Sequence, residues 1–295
     1  MNAPFGEVLT AMITPFHDNG DVNYEGAAEL AAYLVDNGSD ALVVAGTTGE
    51  SPTLTDEEKV ELFKVVCEAV DGKAKVIAGT GTNSTKASLE LTKKAEACGV
   101  DGIMLVVPYY NKPSQEGLYQ HFAHIAQATK LPIMLYNVPG RTSVNLSDQT
   151  VLRLAAAYDN IVAIKEASGD LEQITRITSN APAGFAVYSG DDSMTLPILA
   201  VGGCGIVSVA SHIAGKEIKR MITAFQNGDL AESTRIHQRL MPLFKVLFIA
   251  SNPSPVKGAL KMLGHQVGPL RLPLVEITVQ EEEEIRKVLK ELNYL

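Results

Sequence analysis

The sequence predicts an α/β protein, a (β/α)8 TIM barrel followed by a small C-terminal helical appendage. Two observations carry this. Short apolar strands alternate with helical stretches eight times, at a spacing of roughly thirty residues that shortens toward the end. Eight such units over about 210 residues suit a closed barrel. An open doubly wound sheet would usually show a glycine-rich dinucleotide turn after its first strand, and Thr14-Pro-Phe-His17 is not one. The barrel is assigned to residues 1–215 and the helical region to 216–295.

The first strand is Val8 to Thr14, closed by Pro15, and helical spacing of Leu30, Leu34 and Val35 follows over Asn23 to Asp36. Asp40 to Gly46 is the second strand, with a loop from Thr47 to Thr53. Thr55 and Glu58 form a capping box at the next helix start. Lys75–Gly79, Asp101–Val107 and Pro132–Tyr136 are strands three to five, with helices over Thr85–Cys98, Ser114–Thr129 and Ser147–Ala157. The sixth strand begins at Ile161, Phe185–Ser189 is the seventh and Gly205–Val209 the eighth, with a helix starting near Ser193. From Lys216 onward the pattern is helical: Glu217–Gln226, Leu230–Phe248, Val256–Leu263 and Gln280–Leu292. The acidic run Glu281 to Glu284 opens the last of these, where it complements the helix dipole.

The chain has 295 residues, is 46% hydrophobic and carries a formal net charge of −9. That acidic balance argues against a nucleic-acid partner or an anionic membrane surface. No apolar run is long enough to span a bilayer and the N-terminus lacks a signal core, so a soluble cytoplasmic protein is expected. Cys67, Cys98 and Cys204 have no CxxC spacing and read as small hydrophobes. The six histidines share no ligand spacing with carboxylates, so no metal site is expected.

Candidate chemistry centres on Ile161-Val-Ala-Ile-Lys165, a buried strand that ends in a lysine. A buried amine tends to lose its proton, and a neutral amine attacks carbonyl carbon to give a Schiff base. The competing reading is a strand-end lysine whose stem packs while its head reaches water. In such a barrel the reactive groups sit at the C-terminal strand ends. Those positions hold Thr47 and Thr48 after strand two, Tyr109 and Tyr110 after four, Tyr136 and Arg141 at five, Gly190 at seven and Val207 at eight. The loop Gly46-Thr-Thr-Gly-Glu50 suits a carboxylate: glycines let N–H groups converge and the hydroxyls add donors. Phenol and hydroxyl groups can relay the protons of imine chemistry, and Arg141 can fork onto a second carboxylate.

Gly46-Thr-Thr-Gly-Glu-Ser51, Pro108-Tyr-Tyr-Asn-Lys-Pro-Ser114, Tyr136-Asn-Val-Pro-Gly-Arg-Thr142, Ile164-Lys-Glu-Ala167, Ser189-Gly-Asp-Asp192, Gly202-Gly-Cys-Gly-Ile-Val-Ser208 and Asn252-Pro-Ser-Pro-Val-Lys257 together resemble the dihydrodipicolinate synthase family. The resemblance spans nearly the whole chain. The wider superfamily of pyruvate-dependent lyases, which includes N-acetylneuraminate lyase, shares the GxxGE loop, the tyrosine and the lysine. The arginine and the paired tyrosines are more specific to the synthases. The resemblance implies condensation of pyruvate with L-aspartate 4-semialdehyde in diaminopimelate and lysine biosynthesis. It implies no cofactor beyond a Schiff base of pyruvate on Lys165. Tyr136, Thr47 and Tyr110 would form the proton relay, with Tyr110 supplied by the neighbouring subunit of a tight dimer. Thr48 and Val207 would hold pyruvate by main-chain contacts, with Gly190 also in the substrate site, and Arg141 would receive the semialdehyde's carboxylate. The implied assembly is a homotetramer, a dimer of dimers.

Ser51, Asn83 and Tyr109 match the family's lysine-regulatory pocket, but Ala87 stands where a glutamate is expected and Lys59 where a histidine often sits. Loss of an acceptor and gain of a like charge predict weak or absent inhibition by lysine. Two other functions fit less well: a sister lyase acting on N-acetylneuraminate or 2-keto-3-deoxygluconate, whose polyol offers Arg141 no second carboxylate, and a non-catalytic binding paralogue.

Overall fold

Eight parallel strands close on themselves in sequence order. They are β1 (Val8–Ala11), β2 (Ala41–Val44), β3 (Lys75–Gly79), β4 (Gly102–Val106), β5 (Ile133–Asn137), β6 (Ile161–Glu166), β7 (Ala186–Ser189) and β8 (Gly205–Ser208). The fold is described for residues 3–295 in a computed structural model. The helices between the strands are α1 (Tyr24–Asp36), α2 (Asp56–Val70), α3 (Thr85–Glu96), α4 (Gln115–Ala126), a short α5 (Pro139–Thr142), α6 (Asp148–Ala157), α7 (Leu171–Asn180) and α8 (Thr195–Ala200). The capping box opens α2 as its sequence predicts: Thr55 accepts from the Glu58 amide and Glu58 from the Thr55 amide.

Strand periodicity of two splits the apolar residues into two cores. Leu9, Val43, Ile77, Met104, Met134, Ala163, Ala186 and Val207 fill the barrel interior. Val8, Val44, Val76, Ile103, Ile133, Ile164, Val187 and Ile206 face outward and pack beneath the helices. Tyr136 and Tyr188 belong to the inner set, and Lys165 shares the phase of Ala163, so it too points inward.

The register between β5 and β6 slips by one residue. Ile133 pairs with Ile161, but Met134 pairs with Ala163, so Val162 is the extra residue. Such an irregularity re-aims everything beyond it. Because of it Tyr136 sits in register with Lys165 rather than Ile164, and Lys165 in turn pairs with Tyr188 on β7.

Beyond the barrel lie α9 (Ser211–Gln226), α10 (Leu230–Val246), α11 (Ser254–Met262) and α12 (Val279–Glu291). Helix α9 starts six residues earlier than the Glu217 read from the sequence and bends at Ala214, so residues 215 and 216 fall inside it. It packs on β1 and on α10. Helices α5 and α7 are further additions to the sequence reading.

The stretch from Gly264 to Ile277 has no regular structure and returns over the loop after β1. The Phe16 amide donates to the Val267 carbonyl at 3.2 Å. Gly268 has φ +65°, and a Cβ there would lie 1.7 Å from the Phe16 oxygen. Only glycine permits this crossing.

Candidate active site

Four strand ends converge on a cavity of about 250 Å³ walled by residues that include Gly46, Thr47, Ser51, Met104, Tyr109, Tyr136 and Arg141. Tyr136 arrives on β5 as the last inward residue, and Arg141 on α5, begun by Pro139. Lys165 lies one side chain away: it is only 5% exposed, with Nζ 4.2 Å from the Tyr136 ring centroid. Among the described residues its side-chain nitrogen has no hydrogen-bond or ion-pair partner, and neither Thr47 Oγ1 nor Tyr136 Oη has one. Three polar ends thus stand ready for a ligand in one place, beside an aromatic face that favours a nearby cation.

The outward neighbour of Lys165 is tied down hard. Glu166 Oε1 accepts from Asn137 Nδ2 at 2.5 Å and from Gln173 Nε2 at 3.3 Å, and Oε2 accepts from Ser168 at 2.5 Å. Burial pushes this carboxyl up from its ordinary pKa, against the pull of those hydrogen bonds. Asn137 also donates to Asn145 and accepts from the Leu146 amide. The network locks the ends of β5 and β6 together, next to the lysine. Glu166 and Asn137 lie within the quoted sequence motifs, but nothing in their spacing announced this role.

The Gly46–Glu50 loop differs in detail from the sequence expectation. Its left-handed residues are Ala45 (φ 54°) and Glu50 (φ 56°) rather than the glycines. Gly49 serves close approach instead: a Cβ there would sit 3.1 Å from the Met12 oxygen. Non-glycine residues in this region store backbone strain that surrounding contacts must hold. Those contacts are present. Thr14 Oγ1 donates to the Gly49 carbonyl at 2.7 Å, and buried Thr48 accepts from Asn252 Nδ2 at 2.8 Å. Glu50 Oε1 is 2.7 Å from Lys257 Nζ, with both side chains almost wholly buried, and Oε2 accepts from the Arg271 amide at 3.0 Å. Burial brings the Lys257 ammonium down to about 8, with Glu50 opposing the fall. Glu50, Asn252 and Lys257 were thus legible as motif letters without a function.

On the other rim, Asp192 follows Gly190 and accepts from Ser208 Oγ and from the Val209 and Ala210 amides, which ties the loop after β7 to the end of β8 beside Val207. Complete burial pushes its carboxyl up to about 6 despite these donors. Gly190 fits closely, since a Cβ would lie 2.7 Å from the Ala167 Cβ. Thr48, Gly190 and Val207 are not among the cavity walls.

Tyr110 stands apart. It is 90% exposed and held at φ 72°, while Tyr109 beside it lines the cavity. Its loop is tethered through Asn111 Nδ2 to the Asn83 carbonyl at 2.8 Å. Within one chain, Tyr110 does not join Thr47 and Tyr136. Of the positions with regulatory interest, Ser51 and Tyr109 wall the cavity, and Lys59 is 7% exposed with its pKa lowered by burial.

A sequence model of the dihydrodipicolinate synthetase family matches residues 4–292. The chain is 62% identical to 4-hydroxy-tetrahydrodipicolinate synthase of Moorella thermoacetica, over 99% of each sequence. It is 58% identical to the enzyme of that name from Bacillus subtilis, over 98% of this chain and 99% of that one. Among solved structures it is similar to the synthase from Cyanidioschyzon merolae crystallised with lysine bound, at 54% identity, 99% coverage of both chains and a TM-score of 0.98.

Proposed function

The chain belongs to the dihydrodipicolinate synthetase family, and from that membership we propose that it acts as a 4-hydroxy-tetrahydrodipicolinate synthase, a lyase of lysine biosynthesis. The observation that carries the mechanism is Lys165: an inward amine, buried, without a counter-charge, against the Tyr136 ring.

The Lys165 amine attacks the ketone of pyruvate and water leaves, giving an imine. Loss of a methyl proton turns the imine into an enamine, whose carbon attacks the aldehyde of L-aspartate 4-semialdehyde. The new carbon–carbon bond brings the semialdehyde's amine near the imine carbon, where it displaces Lys165 and closes the ring. Covalent attachment supplies the electron sink, so no cofactor is invoked. Tyr136 and Thr47 move the protons, with Tyr110 reaching in from a neighbouring subunit. The exposed, strained Tyr110 supports that reading, because a bulky side chain held at positive φ in solvent has no use within its own chain. Thr48, Val207 and Gly190 hold pyruvate. Arg141, on the cavity wall, receives the semialdehyde's carboxylate.

A homotetramer in the cytoplasm is the working form we propose. No helix among the described residues is long and apolar enough to cross a membrane.

Borohydride reduction in the presence of pyruvate, followed by peptide mass analysis, tests the mechanism. A pyruvate-derived adduct on the Lys165 peptide is expected, and an unmodified peptide would sink the proposal. Replacing Arg141 with Ala should raise the semialdehyde KM about tenfold or more while leaving pyruvate trapping intact. Unchanged semialdehyde kinetics would remove Arg141 from this role. Lysine should inhibit weakly, since Ala87 offers no acceptor and Lys59 brings a like charge. Half-inhibition at sub-millimolar lysine would contradict this.

A further inference from the structure

Thr48 is reached by a side chain from far along the chain. Asn252, just before α11, is 5% exposed and places Nδ2 2.8 Å from Thr48 Oγ1. No other group among the described residues bonds that hydroxyl oxygen. An amide nitrogen can only donate, so the threonine oxygen accepts and its own proton is left for another acceptor. Thr48 is itself only 3% exposed, and the two residues that follow it are both held. Thr14 holds the Gly49 carbonyl, and Lys257 and the Arg271 amide hold the Glu50 carboxylate.

We infer that Asn252 is a positioning residue: it fixes the Thr48 hydroxyl as a donor toward the carboxylate of the keto-acid substrate. This rests on the proposed placement of pyruvate against the main chain of Thr48, to which it adds the side-chain hydroxyl. It gives the C-terminal region a specific task in substrate binding, through one hydrogen bond whose direction matters. The other arrangement of the amide would have Thr48 donating to Asn252 Oδ1, an atom that is buried and has no partner. The two arrangements make opposite demands on a carboxylate at this position.

The Asn252→Asp substitution separates them. It keeps the shape but offers only acceptors, so it would draw the Thr48 proton away from the substrate. The readout is the pyruvate concentration that half-saturates borohydride trapping on Lys165, together with steady-state KM for both substrates. Half-saturating pyruvate should rise about tenfold, with the semialdehyde KM changed less than about twofold. Thr48→Val should give a similar rise, and the double variant should be little worse than either single one. Half-saturation equal to the wild type would overturn the inference, because the hydroxyl would then already face the amide oxygen. A parallel rise in both KM values would also overturn it, as general damage to the loop. If thermal unfolding shows that Asn252→Asp does not fold, Asn252→Ala takes its place. A rise confined to pyruvate supports the role, and no rise removes it. Failure of the wild-type protein to trap pyruvate would sink the Schiff-base mechanism and this inference together. Normal trapping with unshifted half-saturation overturns only the part played by Asn252.

Discussion

Of the lysines buried among the described residues, Lys165 and Lys257 are the most instructive pair. Lys257 has everything a buried ammonium needs: Glu50 at 2.7 Å, the Pro269 carbonyl at 2.8 Å and the Phe16 ring at 4.3 Å. Lys165 has only the Tyr136 ring. Removing an ion from water costs several kcal/mol, on the order that only close, well-oriented partners offset. The first lysine's surroundings meet that cost and make it a tie between the C-terminal region and the loop after β2. The second lysine's surroundings supply no such partner. A buried charge with partners holds the fold, and a buried amine without them is the one we propose as the nucleophile.

The largest effect expected from this contrast is on catalysis. Lys165→Ala should lose turnover by at least about a thousandfold while keeping its unfolding temperature close to wild type, since no ion pair is broken. A variant that retained turnover would break the comparison at once. Lys257→Met should do the reverse. It strands the Glu50 carboxylate in an apolar site and should cost about 3–5 kcal/mol of stability in chemical denaturation. Adding Glu50→Gln should recover part of that loss, because the stranded charge is gone. A stability equal to wild type in Lys257→Met would show that the pair contributes nothing.

The smallest effect concerns buried bases held neutral. His212 Nδ1 donates to the Val209 carbonyl at 2.8 Å, so Nε2 is the acceptor for the Ile13 amide at 3.2 Å. Burial takes its pKa down to about 4, and does the same for His121. A depressed folded pKa means that stability is full above about 6.5 and is lost as pH falls toward 4, by roughly 3 kcal/mol per fully buried ring. Asp192 works in the opposite sense. Its pKa is raised from 3.8 to about 6, so its contribution is full below 3.8 and declines as pH rises through 6. Urea midpoints should therefore begin to fall between pH 6.5 and 6, before Asp192 can compensate. Midpoints that stay flat from pH 7 to 5 would contradict the neutral assignment of His212.

The barrel was legible because its signals are local. Apolar runs bounded by turns mark strands, and Thr55 with Glu58 marks a helix start within four residues. Helix α7 was not read because its buried face rests on Ile174 and Ile177, with Gln173 filling the place of a third apolar residue. Helix α5 escaped because Pro139-Gly140 looks like a turn. At the site, residue types were readable and relations were not. Nothing near Glu50 points to Lys257, and nothing near Thr48 points to Asn252, because those pairs exist only after the chain has returned over the barrel. The same holds for the exposure of Tyr110, which depends on where the loop after β4 ends up.

The slip between β5 and β6 makes the location of Lys165 a question of parity. On a strand, odd and even positions face opposite media, so the lysine cannot drift by a single step. Moved to position 164 it would lie among the helices, in the place of an isoleucine that is fully buried there. Closing the slip with Val162 kept, so that it pairs with Met134, would bring about the same exchange by setting Ile164 against Tyr136, without touching any residue of the cavity wall. The amine of Lys165 is thus addressed by counting along the strand, and one uncounted residue holds the address.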